Sequence, residues 1–386
     1  MDPRADRLSR IAPFEVMEVL ALAQRLEAEG NDVIHLEVGE PDFPTPERVV
    51  EAAARAMRDR PMGYTPALGL PDLREAISGW YAAALGADVA PERIVVTSGS
   101  SAALLLALGA AVNPGDRVAM GDPGYPCNRH FAAFVEGDPL LVPTHHETAY
   151  QLTAELLEAA WDPGVRAVIA ASPSNPTGTL VPLPEWRRLA ALCADRGAVL
   201  IADEIYQGLT YGRDPETVLS VSDDVVVVNS FSKYFQMTGW RVGWLVVPPG
   251  WVRDIEKLAQ NLFISPSAPA QYGALAAFRP ETLAILEERR DEFRRRRDFL
   301  VPELEKLGFR IPVKPEGAFY VYADIGGLAE DGFELAGRLI ESAGVAATPG
   351  LDFGLNAPQR HMRFAYTVGR ERLREGLDRM ARLLRP

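Results

Sequence analysis

Between residues 94 and 248 the chain keeps returning to one pattern, a short apolar run followed by a helical stretch. IVVTSG, RVAMGDP, AVIAASPSNPTG, AVLIADEIY, DVVVVNSFSK and GWLVVP carry apolar cores of strand length and end in glycine, proline or polar residues. SAALLLALGAAV and residues 186–196 lie between them at helical spacing. Near-continuous apolar strands joined through helices predict a mostly parallel sheet covered on both faces, an α/β fold. Ligands of such sheets gather at the carboxyl ends of the strands. Ser100, Asn175, Asp203, Ser230 and Lys233 all fall near those ends.

The flanks follow other patterns. Residues 9–30 have helical spacing and residues 33–36 suit a short strand. Thr45 is placed to cap a helix that starts at Pro46 and runs to about residue 58. A further helix is expected at 73–85. Residues 281–307 suit one long helix, a spine between domains. Beyond it come FRIPVKPEGAFYVYADI, a helix at 332–342, the strands GVAATPG and MRFAYT, and a last helix at 371–384. This α+β pattern predicts a second, smaller domain, which the N-terminal segment joins. The expected division is an arm at 1–45, a large domain at 46–285 and a small one at 286–386.

Charge narrows the possible functions. Lys plus Arg is 40 against 53 Asp plus Glu, a net charge of −13. That balance disfavours nucleic-acid and anionic-membrane partners. The one basic run, 289–297, is interleaved with Asp291, Glu292 and Phe293 and suggests a solvated helix face laced with i,i+4 pairs. Cys127 and Cys193 have no metal-ligand spacing and are expected as free thiols in a reducing compartment. The opening MDPRADRLSR lacks the apolar stretch of a signal peptide, and no run is long enough to span a membrane. A soluble cytoplasmic protein without a metal is expected.

The densest chemistry lies in NSFSKYFQMTGWRVGW, residues 229–244. A lysine near a strand end is usually solvated. Lys233 is framed by Phe231, Tyr234, Phe235 and Trp240, which favours burial and a depressed pKa. With Ser230 and Arg241 close by, it suits an aldehyde cofactor held as a Schiff base and gripped by its phosphate. Asp203, among apolar neighbours in LIADEIY, is either a structural hydrogen-bonding group or a partner for a pyridinium nitrogen. Asn175 in SPSNPTG is either a turn residue or an amide aimed at a cofactor oxygen. Gly99, Ser100 and Ser101 open an apolar helix, which makes either a plain cap or an anion site. Arg363 in MRFAYT suits an ordinary ion pair or a two-pronged carboxylate clamp.

Taken together, VGEPDFPTP, GYTPALGLPDLREAI, TSGSSAAL, DPGYP, SPSNPTG, DEIY, SFSKYFQMTGWRVGW and Arg363 resemble the class I and II aminotransferases, pyridoxal-phosphate enzymes of fold type I. The resemblance spans essentially the whole chain. It implies a mostly parallel seven-stranded sheet between helices in the large domain and a smaller α+β C-terminal domain. It implies that Lys233 carries pyridoxal phosphate, that Asp203 pairs with the ring nitrogen, and that Tyr206 and Asn175 bond the ring oxygen O3′. Tyr125 would stack on the ring. Ser100, Ser101, Ser230 and Arg241 would bind the phosphate. Tyr64 would reach the phosphate of a neighbouring subunit, making a homodimer with shared sites. Arg363 would bind the substrate α-carboxylate, helped by Gly39 and Asn175, and Phe14 would line the side-chain pocket. A cis bond is expected before Pro176.

The implied reaction is ping-pong transfer of an amino group from an L-amino acid to a 2-oxo acid. The loop QNLFISPSAPAQYG, expected to border the entrance, carries no arginine. With Phe14, it hints at a substrate with an uncharged side chain. Two other readings share the motifs. One is a carbon–sulfur lyase or other eliminating enzyme on the same scaffold. The other is a non-catalytic binding module of the kind found in some transcription regulators. Those carry a preceding DNA-binding domain, and with VGEPDF beginning near residue 38 none is expected here.

Overall fold

The computed structural model describes residues 4–384. At its centre is a seven-stranded sheet. Its strands lie in the order Ile94–Thr97, Gly243–Val246, Val226–Ser230, Val199–Asp203, Val165–Ala171, Arg117–Asp122 and Asp138–Pro143. Gly243–Val246 runs antiparallel to both neighbours, and every other pair is parallel. The predicted α/β sheet is therefore present. Its central strands are buried along their whole length, as their unbroken apolar character requires. Each fully buried Val or Ile there contributes roughly 1.5–3 kcal/mol. The edge strand Asp138–Pro143 was not anticipated. Its Pro139 and Pro143 interrupt the apolar signal, and proline is tolerated at an edge.

An aromatic cluster anchors the segment after Val226–Ser230. Phe231 and Phe235 pack against Trp244 and Phe278 at centroid separations of 4.9 to 6.3 Å, and Trp80 joins them. The Trp244 indole donates to the Tyr81 hydroxyl at 3.1 Å. The chain on either side of Lys233 is thus pinned to the core, which fixes where the lysine can reach.

The smaller C-terminal domain is built on a three-stranded antiparallel sheet ordered Thr348–Pro349, His361–Ala365, Tyr320–Asp324. Ile34–His35 pairs in parallel with Val345–Ala346 as a separate two-stranded sheet. The long helix is Pro280–Lys306, and it carries Pro302 internally. Among the described residues no helix is long and apolar enough to cross a membrane. Cys127 and Cys193 are free.

Three local expectations need correction. The N-terminal helix does not start at residue 9. A short 3-10 turn, Asp6–Arg10, comes first, and the α-helix is Glu15–Ala28. Pro13 separates the two by restricting the residue before it. Thr45 is not a cap, because the helix Glu47–Asp59 follows Pro46 without a side-chain cap bond. The Thr45 hydroxyl instead donates to the Gln236 carbonyl at 2.8 Å and accepts from the Trp240 indole at 3.0 Å. The basic run at 289–297 is only partly a solvated face. Arg296 is 4 % exposed and pairs with Asp42 at 2.7 Å. Arg297 donates to the Pro315 carbonyl, and Arg289 to that of Pro44. Arg289 and Arg296 both lie over the Phe43 ring, so an aromatic face draws these cations inward.

Candidate active site

A cavity of about 380 Å³ opens at the carboxyl ends of the central strands. Of the residues expected to form a site, Phe14, Gly39, Ser100, Ser101, Tyr125, Asn175, Asp203, Tyr206, Lys233, Arg241 and Arg363 line it. Ser230 and Tyr64 do not. Ser230 stands one step behind the wall, where its hydroxyl donates to that of Ser232 at 2.9 Å, and Ser232 lines the cavity. Tyr64 is 83 % exposed, away from this chain's own cavity. The loop at 260–273 contributes nothing to the wall.

Lys233 follows directly on the anchored aromatic segment. Its Nζ donates to the Gly39 carbonyl at 2.6 Å. Burial brings its pKa down from 10.5 to about 8, against the pull of the Glu40 carboxylate, which favours the charged form. An ammonium so depressed gives up its proton around pH 8, well below an ordinary lysine.

Asp203 ends the strand Val199–Asp203, paired with Val228 on one side and Ala171 on the other. It is 3 % exposed, and one oxygen accepts from the Ile205 amide at 3.2 Å. Burial raises its pKa to about 6, while the Ile205 bond and the Lys233 charge act in the opposite direction. A buried carboxylate with so little compensation is set up for a cationic partner. Glu204 beside it is occupied elsewhere, with the Thr217 hydroxyl and the Val218 amide.

Ser100, Ser101 and Arg241, in the wall of the same cavity, belong to an anion cradle. Gly99, at φ +82°, opens the helix Gly99–Ala111, with Ser100 and Ser101 in its first turn. The Arg241 guanidinium packs so closely here that a Cβ on Gly99 would come within 2.7 Å of Nη2. A Cβ on Gly243 would meet the Asn229 carbonyl oxygen at 2.8 Å and the Ser100 amide nitrogen at 3.1 Å. A helix N-terminus with a guanidinium beside it is a site for phosphate.

Arg363 is 2 % exposed. Its guanidinium donates to the Asn175 side-chain oxygen at 2.9 Å, to the Glu37 carbonyl, and to the Thr348 hydroxyl at 3.3 Å. The Asn175–Pro176 bond is cis, as expected, and so are Asp122–Pro123 and Ser172–Pro173. Tyr125, at the start of the helix Pro126–Phe134, meets Phe14 edge to face at 6.2 Å.

Several wall residues were not anticipated: Glu40, Ser232, Thr238 and Tyr320. The Thr238 hydroxyl donates to Glu40. Tyr320 and Tyr206 share a hydroxyl–hydroxyl bond of 2.7 Å. The alternation in YVYAD was the available signal for Tyr320, since it puts Tyr320 and Tyr322 on one strand face.

This donor set fits pyridoxal phosphate. The Gly99–Arg241 cradle suits its phosphate, the Asp203 carboxylate its ring nitrogen and the Lys233 amine its aldehyde. Fold and cavity together are those of a fold type I, pyridoxal-phosphate-dependent enzyme. The family model described as aminotransferase class I and II matches residues 31–380, and the chain belongs to that family. It is similar to a valine–pyruvate aminotransferase of Mycobacterium tuberculosis, at 39 % identity over 98 % of both chains. It is 37 % identical to a probable aspartate/prephenate aminotransferase of Aquifex aeolicus, again over 98 % of each. Among solved structures, an aspartate aminotransferase from Thermus thermophilus with maleate superposes with a TM-score of 0.94 at 35 % identity, covering 99 % of this chain and 100 % of that one. The protein is thus an aminotransferase that depends on pyridoxal phosphate.

Proposed function

We propose that this enzyme takes the amino group from an L-amino acid in one half-reaction and gives it to a 2-oxo acid in a second, a ping-pong sequence. The observation that carries the reading is the Lys233 amine, which shares one cavity with the Asp203 carboxylate and the Arg363 guanidinium. When bound, pyridoxal phosphate supplies an electron sink for the carbanion left at the substrate's Cα.

The residues divide the remaining work. Asp203 keeps the ring nitrogen protonated. The Tyr206 hydroxyl and the Asn175 amide nitrogen would hold O3′, and Tyr125 would pack on the ring. Ser100, Ser101 and Arg241 hold the phosphate, with Ser230 acting through Ser232. Arg363 grips the donor's α-carboxylate in two-pronged fashion beside Gly39 and Asn175. With the cofactor bound, the Lys233 amine would be placed to take the donor's α-proton as a base and to return it as an acid.

Phe14, Val16, Met17 and Val38 form an apolar part of the wall, and Glu40 adds a negative charge. Both favour donors with a neutral side chain over acidic ones, in keeping with the valine–pyruvate relative. The active unit is a homodimer in which exposed Tyr64 reaches the neighbour's phosphate site. Mixing a Lys233→Ala chain with a Tyr64→Ala chain tests this. Restored activity in the hybrid supports shared sites, and none argues against them.

The main test mixes holoenzyme with one amino acid at a time and follows the loss of the cofactor's visible absorbance. Neutral donors are expected to convert it faster than aspartate or glutamate. If no donor converts it, the transfer reading fails. Pyruvate and ammonia released from cystathionine or cysteine would instead mark an eliminating enzyme.

A further inference from the structure

Tyr320 makes three contacts that no other residue combines among the described residues. Its ring centroid lies 4.2 Å from the Arg363 guanidinium carbon. Its hydroxyl is 2.7 Å from that of Tyr206. The same hydroxyl crowds Gly39 so closely that a Cβ there would stand 1.8 Å away. Strand register explains the first contact. Tyr320 is opposite Ala365 and Tyr322 is opposite Arg363, so Tyr320 and Arg363 lie diagonally on one sheet face. Phe353 approaches the guanidinium as well, at 4.8 Å, but Tyr320 is nearer.

Tyr320 is 1 % exposed and Tyr206 is buried too. Desolvation raises both phenols' pKa values, so both keep their protons. One hydroxyl must therefore donate to the other. If Tyr320 donates, the Tyr206 proton is left for an acceptor in the cavity, and accepting a bond makes Tyr206 the stronger donor.

We infer that Tyr320 is a positioning residue with two separable duties: its hydroxyl aims and strengthens Tyr206 as a donor to the cofactor's ring oxygen, and its ring face holds the Arg363 guanidinium in place for the donor's carboxylate. The inference rests on the roles proposed above for Tyr206 and Arg363.

Two variants separate the duties. Tyr320→Phe removes only the hydroxyl. The midpoint of the holoenzyme's visible-absorbance pH titration should rise by about 0.5 unit or more, because the ring oxygen loses part of a bond to its charged form. The donor KM should stay within about twofold. Tyr320→Leu also removes the ring face, and the donor KM should rise about tenfold. The same shift should appear in the dissociation constant of a 2-methyl amino acid, which binds but has no α-proton to lose. An unchanged midpoint in Tyr320→Phe overturns the hydroxyl's duty. Equal KM values in the two variants overturn the ring's duty, and if Tyr320→Leu does not fold, Tyr320→Ile takes its place. A wild-type enzyme that converts no donor, alongside a shifted Tyr320→Phe midpoint, counts against amino transfer while upholding the inference about Tyr206.

Discussion

The Lys233 Nζ lies 2.6 Å from the Gly39 carbonyl oxygen, across 194 residues of chain. This bond ties the segment that follows the central strand to the VGEPDFP loop, and it holds the amine at the cavity wall. Lys233→Ala should leave the fold intact, because Phe231 and Phe235 do the anchoring. It should lower the donor half-reaction rate by about 10²–10⁴-fold, the usual contribution of a positioned acid–base group. Single-turnover absorbance with a far-UV circular dichroism control measures both.

Without cofactor, the Lys233 amine should titrate near pH 8, as burial dictates. Its acylation by an amine-reactive ester, followed at that residue by mass spectrometry, should rise through about pH 8 and level off. The same ester reacting with a free lysine analogue, whose amine titrates at about 10.4, should keep climbing over that range. A Lys233 profile that matches the free analogue would count against a desolvated Lys233.

Arg363→Lys is not a conservative change. A lysine cannot reproduce the planar fork that meets Asn175, Glu37 and Thr348. One charge-assisted bond lost costs about 1.5–3 kcal/mol. The donor KM should therefore rise roughly 10–100-fold, with a smaller fall in kcat. Steady-state kinetics with a single neutral donor checks the split.

His35 should make stability depend on pH. Its Nδ1 lies 2.7 Å from the buried Glu37 carboxylate, and its Nε2 3.2 Å from Glu27. The hydrogen bond to Glu37, above all, raises its pKa from 6.5 to about 9. The folded state thus holds a proton that the unfolded chain releases. The stabilisation is full below pH 6.5 and is lost as pH rises through about 9. Allowing for solvent screening, it amounts to about 1–2 kcal/mol. Urea unfolding of wild type and His35→Gln should differ most at about pH 6 and converge near pH 9.5.

Much of the sheet was legible because its strands are buried on both faces and write unbroken apolar runs. The proline-broken edge strand Asp138–Pro143 writes no such run. Asp203, Asn175 and Lys233 showed themselves as polar residues where an apolar strand ends. Tyr320 did not, since a tyrosine in a strand is ordinary and only the pairing with Arg363's strand gives it a role. Arg296 was misjudged because its partner, the Phe43 face, comes from a loop more than 250 residues away. Local charge pattern cannot register an aromatic face brought in by tertiary structure.

Gly243 has a further consequence for how the enzyme is assembled. Backbone from Asn229, Gly99 and Ser100 converges on it, and no Cβ would fit. Those segments are adjacent only once Gly243–Val246 has slotted between Ile94–Thr97 and Val226–Ser230. Contacts so distant in sequence form late, after loop closure has been overcome. On the phosphate role proposed for Ser100, Ser101 and Arg241, a chain that has not yet inserted this strand should lack the cradle, and cofactor capture should follow completion of this part of the sheet.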